Sequence, residues 1–318
     1  MSYKLGFKVN PFLERHGWKQ GALSDWDKTS TVKELSFWHE QGYEVVEMLP
    51  DHYTGLGSFL AMTDVEWTET RAVIEDAGFQ VVGILGWRRM FWREPWIAEK
   101  MGDMDRIAEV AKLLGIKVID VLTAYPLPIV PASCSQPVIG AGGAPARPLF
   151  RSLWDATTHD FELCAKMLKA YAQRTADFGA SLSLEIHPDC LTDVPISTLR
   201  LQEMIDEPNV GVNPDTFDSE WIYPDYPDYI VPTAAEQCKL LAPHVVYWHA
   251  KNWVRSLGPD GLWKFTRTHL DEGDQPIDLM AQNLVDVGYD GAAIIECGRG
   301  FEYATSPATL RRSRDYLV

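Results

Sequence analysis

Residues 181 to 187 read SLSLEIH and place a carboxylate and an imidazole, those of Glu185 and His187, two positions apart. Side chains alternate between the two faces of a β-strand. The serines, Glu185 and His187 would therefore share one face, and the leucines and the isoleucine would share the other. One face of this predicted strand thus carries groups that can bind a cation or move a proton.

Three further predicted strands end in residues of the same kind: Asp215 in NPDTFD, His249 in YWHAKN and Glu296 in IIECG. Three carboxylates and an imidazole brought together in a cavity would repel one another and lose hydration, so a divalent cation is the simplest partner for them. Oxygen and nitrogen ligands without a thiolate suit Mn²⁺, Mg²⁺ or Co²⁺ better than a structural zinc. We predict one divalent metal ion, preferably Mn²⁺, held by Glu185, Asp215, His249 and Glu296.

The chemistry that such a site predicts is proton transfer beside a carbonyl. A divalent ion polarises a carbonyl and acidifies the adjacent C–H bond. A carboxylate or imidazole takes the proton, and a second group returns it. Return to the opposite face is epimerisation, return to the neighbouring carbon is isomerisation, and expulsion of a β substituent is lyase chemistry.

The elements that must position these residues follow from hydrophobic periodicity, because short Val, Ile and Leu-rich segments alternate with segments of helical period. The predicted strands are residues 4–9, 43–49, 79–85, 117–123, 181–187, 210–215, 245–251 and 292–298. The predicted helices are residues 30–41, 64–77, 99–114, 158–179, 196–206, 233–242, 276–287 and 306–316, several of them followed by glycine.

Eight strands and eight helices in strict alternation predict an α/β protein with a parallel sheet. An open doubly wound sheet would also fit, but this count favours a single (β/α)8 TIM barrel with long βα loops, one domain over residues 1–318. Active sites of such barrels lie at the carboxyl ends of the strands, where the four candidate ligands are predicted. The Pro- and Gly-rich residues 125–149 are too long for a plain connection and predict an active-site loop after the fourth strand.

Other polar and aromatic residues near strand ends are candidates for substrate binding. Trp87 begins an aromatic and arginine-rich segment at residues 86–96, and aromatic faces stack on sugar rings or on an aglycone. His52 follows the second strand, and Lys251 shares a strand face with His249. Packing against the barrel or against another subunit is the alternative for the aromatic segment, and Glu47, predicted to point inward, is either a substrate contact or a structural residue.

Composition restricts the classes of partner. The chain has 29 basic and 45 acidic residues, a formal net charge of −16, which argues against nucleic acid and anionic membrane surfaces. Its five cysteines are scattered and form no C-x-x-C pair, so neither a disulfide framework nor a zinc ribbon is predicted. The absence of a long apolar segment predicts neither export nor membrane insertion. We expect a soluble, cytoplasmic protein with a small-molecule partner.

Taken in order, these motifs resemble the xylose isomerase-like barrel superfamily, which includes sugar phosphate isomerases and epimerases and the ketose 3-epimerases. The resemblance spans essentially the whole chain. It implies that Glu185, Asp215, His249 and Glu296 bind one divalent metal and that the two glutamates also act as the acid and base. It further implies that Arg255, six residues after His249, orients the substrate.

Two positions depart from the ketose 3-epimerase pattern. Asp218, a further candidate for substrate binding, stands where those enzymes have a histidine that touches substrate oxygens, and Leu191 stands where they have a second glutamate. His187 is then a candidate replacement base, or else a histidine that only steadies the Glu185 carboxylate. Simple ketose 3-epimerisation is therefore not the only expected outcome.

The expected function is a divalent-metal-dependent isomerase or epimerase of a ketose or keto-sugar. The E-x-H pattern and YWHAKNW also resemble the large subunit of C-glycoside deglycosidases, carbon-carbon lyases of 3-keto C-glycosides that work with a small second subunit. The expected partners are thus a sugar or glycoside and either further copies of the chain or a small second subunit. A DNA-repair endonuclease would need more than 8 histidines and a basic face, and a non-catalytic sugar-binding barrel would not need a complete metal-binding quartet.

Overall fold

The computed structural model of the chain describes residues 3–9, 35–48, 62–87, 97–123, 151–187, 190–215, 232–259, 263–296 and 307–318. The strands in this part of the chain are β1 (Lys4–Val9), β2 (Val45–Met48), β3 (Gln80–Trp87), β4 (Val118–Val121), β5 (Ser181–Glu185), β6 (Val210–Asn213), β7 (Trp248–Ala250), β8 (Asn252–Leu257), β9 (Trp263–Thr268) and β10 (Ala292–Ile295). The helices are α1 (Asp64–Asp76), α2 (Ile97–Leu114), α3 (Ser152–Asp155), α4 (Thr158–Ala176), α5 (Pro195–Ile205), α6 (Ala234–Leu241), α7 (Ile277–Asp286) and α8 (Pro307–Leu317). Residues 35–40 are also helical, and residues 242–244 form a short 3-10 turn.

Eight of these strands form one parallel sheet in the order β6-β5-β4-β3-β2-β1-β10-β7. Its two outer strands, β6 and β7, approach each other through a parallel bridge between Val212 and Val245. The amide of Val246 also donates to the carbonyl of Val212 at 3.2 Å. The sheet thus closes almost completely on itself, which confirms the predicted (β/α)8 barrel and excludes the open doubly wound sheet. That residues 1–318 form one domain stays a prediction.

Local sequence signals explain where several helices begin and end. Three helices begin with a capping box, in which a threonine hydroxyl and an acidic side chain three residues later accept each other's backbone N–H: Thr63 with Glu66, Thr157 with Asp160, and Thr233 with Glu236. The matching motifs DAGF and DVGY end α1 and α7 at Gly78 and Gly288, whose φ angles are +90° and +75°. Glycine adopts this left-handed conformation without the steric cost of a Cβ atom.

The interior of the barrel is apolar at the amino ends of its strands. Val45, Tyr247, Ala292 and Ile294 form a buried cluster there, separate from the larger core that includes residues of the surrounding helices. Farther along the same segments lie buried polar side chains: Glu47 follows Val45, His249 follows Tyr247, and Glu296 follows Ala292 and Ile294. An apolar floor therefore lies below the polar centre of the barrel.

The main departure from the predicted elements follows the seventh barrel strand. Residues 245–251 were predicted as one strand, but β7 covers only Trp248–Ala250, and β8 and β9 form an antiparallel hairpin beyond it. The Asn252 side chain fixes this turn of the chain by donating to the carbonyl of Leu270 at 2.6 Å and accepting from the amide of Gln275 at 3.0 Å. The segment VVYWHAKNWV was interpreted as one continuous strand up to Lys251, so the sequence prediction missed the hairpin.

The expected active-site loop at residues 125–149 lies outside the described residues. Among the helices that the structure describes, none has the length and apolar character needed to cross a membrane.

Candidate metal centre

Four polar side chains from consecutive strands of the barrel meet near the carboxyl ends of those strands. Glu185 ends β5, Asp215 lies two residues after β6, His249 is in the middle of β7, and Glu296 directly follows β10. One possible ligand atom from each residue lies within 4.8 Å of those of the other three, and all four residues are buried. The structure thus brings together the four residues that the sequence singled out, here called the strand-end group.

His249 lies between the two glutamates of this group. Its Nδ1 atom is 3.2 Å from Glu185 Oε1 and 4.0 Å from Glu296 Oε2. The turn after β5 supports Glu185, because the hydroxyl of Thr192 donates to the Glu185 carbonyl at 2.6 Å. The amide of Thr192 in turn donates to the Thr123 hydroxyl at 3.1 Å, which ties this turn to the end of β4. Hydrogen bonds between the residues after β4 and β5 therefore fix the backbone of Glu185, whose side chain reaches the centre.

Lys251 belongs to the same cluster. Its ammonium donates to the Asp215 carboxylate and lies 3.9 Å from Glu296 Oε2. Lys251 is only 2% exposed. The ammonium also lies 5.5 Å from the centre of the Trp253 ring. Lys251, predicted to bind substrate, thus contacts two of the candidate metal ligands.

A second set of polar side chains lies on the other side of the His249 ring. Its Nε2 atom is 3.1 Å from Glu47 Oε2 and 4.0 Å from Asp120 Oδ2. Glu47, Asp120 and His249 also hold possible ligand atoms within 4.8 Å of one another and are here called the mid-strand group. Asn213 joins the two groups, because its side chain accepts from the amide of His249 at 2.9 Å and donates to Asp120 Oδ2 at 3.3 Å.

Sequence reasoning missed one member of the mid-strand group and the asparagine beside it. Asp120 and Asn213 were not considered as site residues, and Glu47 was treated as a substrate contact or a structural residue. The available signal was a single polar residue within each apolar strand, in VIDV, VGVN and VVEM. Buried acids in such positions need a specific partner, so each marks a polar interior.

The donor chemistry fits a divalent cation. Within the described residues, five buried carboxylates surround the imidazole of His249 and the ammonium of Lys251, namely those of Glu47, Asp120, Glu185, Asp215 and Glu296. Buried charges of one sign are costly unless cations or protons compensate them. Carboxylate oxygens with one imidazole nitrogen are ligands that suit Mn²⁺ or Mg²⁺.

Tyr247 reports the same electrostatic environment. Burial, and then the nearby charges of Glu47 and Asp120, raise the pKa of its hydroxyl well above the usual value. The Tyr247 and Ser183 hydroxyls are both buried and lack a hydrogen-bond partner in the part of the chain that the structure describes. A buried hydroxyl of this kind is costly, which is consistent with a polar interior that accommodates a further group.

The remaining predicted site residues are not all part of this cluster. His187 is partly buried, and its amide donates to the Thr192 carbonyl at 3.0 Å. It lies beyond the end of β5, so strand alternation does not determine the direction of its side chain. Arg255 is exposed on the β8 hairpin, where its amide donates to Asp274 Oδ2 at 2.5 Å. Trp87 is the last residue of β3, opposite Val121 of β4. His52 and Asp218 lie outside the described residues.

Leu191 is the residue that the sequence pattern predicts in place of the second glutamate of the ketose 3-epimerases. It is fully buried, and its amide donates to the Thr123 carbonyl at 2.9 Å. This position therefore packs the turn after β5 against β4. The departure noted in the sequence is thus an apolar contact in the structure.

Solved structures share this architecture at low sequence identity. A xylose isomerase-like TIM barrel protein from Mycobacterium smegmatis, in complex with magnesium, is 18% identical and has a TM-score of 0.72, with 99% of this chain and 95% of that chain covered. A probable 3-DHS dehydratase from Bacillus anthracis is 17% identical, with 98% of each chain covered and a TM-score of 0.62. The D-psicose 3-epimerase from Clostridium cellulolyticum, solved with D-tagatose, is 13% identical, with 99% and 96% covered and a TM-score of 0.61.

Sequence comparison gives the family directly. No curated protein matches the sequence significantly. The family model described as "Xylose isomerase-like TIM barrel" matches residues 35–317, which is most of the chain. This match agrees with the barrel topology and with the superfamily that the motifs resemble. The chain therefore belongs to the xylose isomerase-like TIM barrel family.

Proposed function

We propose that this protein is a divalent-metal-dependent sugar isomerase or epimerase that moves a proton beside the carbonyl of a ketose or keto-sugar. The observation that carries the proposal is the convergence of the strand-end group, Glu185, Asp215, His249 and Glu296, with possible ligand atoms within 4.8 Å of one another. The shared fold with a D-psicose 3-epimerase supports it. Mn²⁺ is the preferred ion, and Mg²⁺ is an alternative because it accompanies the Mycobacterium smegmatis protein.

The strand-end group would hold the ion, and its two glutamates would transfer the proton. A bound divalent ion supplies Lewis-acid polarisation of a sugar carbonyl. Glu185 ends β5 and Glu296 follows β10, the strands on either side of β6 and β7, and His249 lies between the two glutamates. One carboxylate would remove the proton on one side of the substrate carbon, and the other would return it. The Lys251 ammonium, already at the centre, would donate to a substrate oxygen.

A lyase is the second candidate. The same proton abstraction followed by loss of a β substituent gives elimination, and a probable 3-DHS dehydratase shares the fold. The E-x-H pattern of Glu185 and His187 supports this alternative, because His187 could serve as the base or protonate a leaving group. An enzyme of the C-glycoside deglycosidase type would in addition work with a small second subunit.

The deciding experiment follows proton exchange. The Mn²⁺-loaded protein is incubated in D₂O with free ketoses and 3-keto glycosides, with and without candidate small subunits, and the products are analysed by NMR. We expect deuterium at the carbon beside the carbonyl and an epimerised or isomerised sugar. Release of an aglycone or of water would select the lyase instead. No exchange with any substrate would contradict both candidates and favour a sugar-binding barrel.

Matched variants locate the groups that act. Glu296→Gln should abolish conversion of the sugar, because the amide cannot take or return the proton. Glu203→Gln, on the exposed face of α5, should leave exchange unchanged. His187→Ala distinguishes the two interpretations of that histidine: loss of exchange with metal retained assigns the base, whereas unchanged exchange leaves it as a supporting residue.

A further inference from the structure

The His249 imidazole belongs to both buried groups of possible metal ligands. Its Nδ1 atom faces Glu185 and Glu296 of the strand-end group, and its Nε2 atom faces Glu47 and Asp120 of the mid-strand group. A neutral imidazole offers one lone pair, and its other nitrogen carries a proton. The ring therefore cannot serve as an ordinary neutral ligand to an ion in each group at once, and one nitrogen must act as a hydrogen-bond donor.

The position of each group along the strands decides between the two nitrogens. The strand-end group lies at the carboxyl ends, where barrel enzymes bind their substrates. Glu47 and Asp120 lie within β2 and β4, and Glu47 stands two residues after Val45 of the apolar floor. An ion that must meet a substrate belongs in the strand-end group, so Nδ1 provides the lone pair and Nε2 the proton.

We propose that Glu47 is a positioning residue of the metal centre, whose carboxylate accepts the Nε2 hydrogen of His249 and so directs the Nδ1 lone pair towards Glu185 and Glu296. This inference rests on the proposed metal-dependent function. The Nε2 to Oε2 distance of 3.1 Å is that of a hydrogen bond, and both side chains are fully buried. A charged acceptor fixes the tautomer of a metal-ligating histidine and makes the ring a stronger ligand.

The surroundings of His249 support a fixed ring. The Asn213 side chain holds its backbone amide at 2.9 Å and is itself tied to Asp120. The Tyr247 ring meets the imidazole edge to face, with 5.4 Å between ring centres. Glu47 therefore adds a contact at Nε2 to those that the histidine makes through its backbone amide and with the Tyr247 ring.

A Mn²⁺ titration followed by electron paramagnetic resonance tests the inference. The native protein should bind one ion per chain, and Glu185→Gln should bind it more weakly because a ligand is lost. Glu47→Gln keeps a possible acceptor oxygen but removes its charge, and we expect Mn²⁺ affinity to fall by about 10- to 100-fold. Glu44→Gln changes an exposed residue just before β2 and should bind like the native protein.

The outcomes separate the two proposals. No Mn²⁺ binding by the native protein, or equal binding by Glu185→Gln, would refute the metal centre and the role of Glu47 with it. Weakened binding by Glu185→Gln but native binding by Glu47→Gln would refute only the role of Glu47. Two ions per chain would also refute it, because the mid-strand group would then be a second metal site.

A spectroscopic measurement on the native protein does not depend on how any variant folds. In the Zn²⁺-loaded protein with ¹⁵N-labelled histidine, NMR should show His249 bound through Nδ1 and protonated at Nε2. Assignment uses the signal that disappears in His249→Gln. The opposite tautomer, with metal on Nε2, would overturn the inference.

Discussion

At the scale of single residues, Lys251 places a covalently attached cation among the carboxylates of the candidate metal centre. Its ammonium pairs with Asp215 and lies 3.9 Å from Glu296 Oε2. A positive charge at this point compensates two of the acids, and a divalent ion bound by the same acids would take over part of that compensation. An ion bound at the centre would therefore share with Lys251 the charge compensation of these carboxylates.

This sharing predicts a metal-dependent effect of Lys251→Met. In the presence of a chelator the variant leaves Asp215 buried without this ammonium, and we expect it to lose about 3 to 5 kcal/mol of unfolding free energy. Saturating Mn²⁺ should reduce that loss, because the ion compensates the same carboxylate. Urea denaturation with and without Mn²⁺ measures both values, with Lys239→Met, at an exposed position of α6, as the control. An equal loss under both conditions would contradict the shared role.

Among the elements, the floor of the barrel depends on a close approach between Gly83 of β3 and the side chain of Tyr247, directly before β7. A Cβ atom added to Gly83 would lie 2.3 Å from the Tyr247 hydroxyl oxygen and 2.7 Å from its Cζ atom. Both distances are too short for unbonded atoms in a packed interior, and the tyrosine ring is fully buried and has little room to move. The absence of a side chain at residue 83 therefore allows Tyr247 to fill the floor of the barrel.

Gly83→Ala should consequently destabilise the protein by about 1 to 3 kcal/mol, as overpacked cores do. Adding Tyr247→Phe removes the oxygen that the new methyl group meets and should recover part of the loss. Gly102→Ala, in α2 with no atom within 4 Å of the new Cβ, should instead be neutral or stabilising. Thermal unfolding of the three variants measures the effect, and an additive double variant would contradict the proposed clash.

The capping box of α1 predicts a pH-dependent contribution to stability. Hydrogen bonds from the Thr63 amide and hydroxyl lower the pKa of Glu66. Because the folded-state pKa is the lower one, the stabilisation is present above the unfolded-state pKa and is lost as the pH falls through the folded-state value. Thr63→Ala removes the hydroxyl bond to Glu66 but keeps the backbone one, so it should lower the free energy of unfolding at neutral pH and lower it less at pH values below about 4. Urea denaturation at both pH values checks this, and an unchanged difference would contradict it.

Elements of strong periodicity were predictable because their signals are local. Alternating apolar segments, threonine caps and terminal glycines fixed the order of strands and helices, and each signal acts within a few residues of the element it defines. Strand ends were less predictable: β5 was predicted to reach His187 but ends at Glu185. The turn that ends it depends on Thr192 and Thr123, which are distant in sequence.

The candidate site divides in the same way. The barrel rule placed the strand-end group, because it needs only strand order and the polar residue at each carboxyl end. Glu47 and Asp120 could not be assigned to His249 from the sequence, because that contact crosses the barrel interior between β2, β4 and β7. Side-chain contacts across a closed sheet depend on its curvature, so they cannot be predicted from the residue pattern of one strand.

At the scale of the whole molecule, the candidate metal centre lies across the seam of the barrel. β6 and β7 are the outer strands of the sheet order, and the bridge of Val212 with Val245 joins them. Glu185 and Asp215 approach the centre from one side of this seam, and His249 and Glu296 approach it from the other. An ion held by all four residues would therefore link the two edges that the backbone joins least extensively.

Metal binding should for this reason slow hydrogen exchange at the seam more than elsewhere in the barrel. The amide of Val246, which donates to Val212, and the amide of His249, which donates to Asn213, are the reporters. Local opening of the seam breaks both bonds, and a ligand that binds only the closed form lowers the open population by the factor 1 + [L]/Kd, about 100-fold at 100 times Kd. Exchange at the paired strands β2 and β3 should change less, because their ladder is continuous apart from one irregularity.

Mass-spectrometric exchange with and without Mn²⁺ gives the comparison, and Glu185→Gln should lose the protection at matched Mn²⁺ concentration. Equal slowing in both regions would indicate general stabilisation and contradict a specific link across the seam.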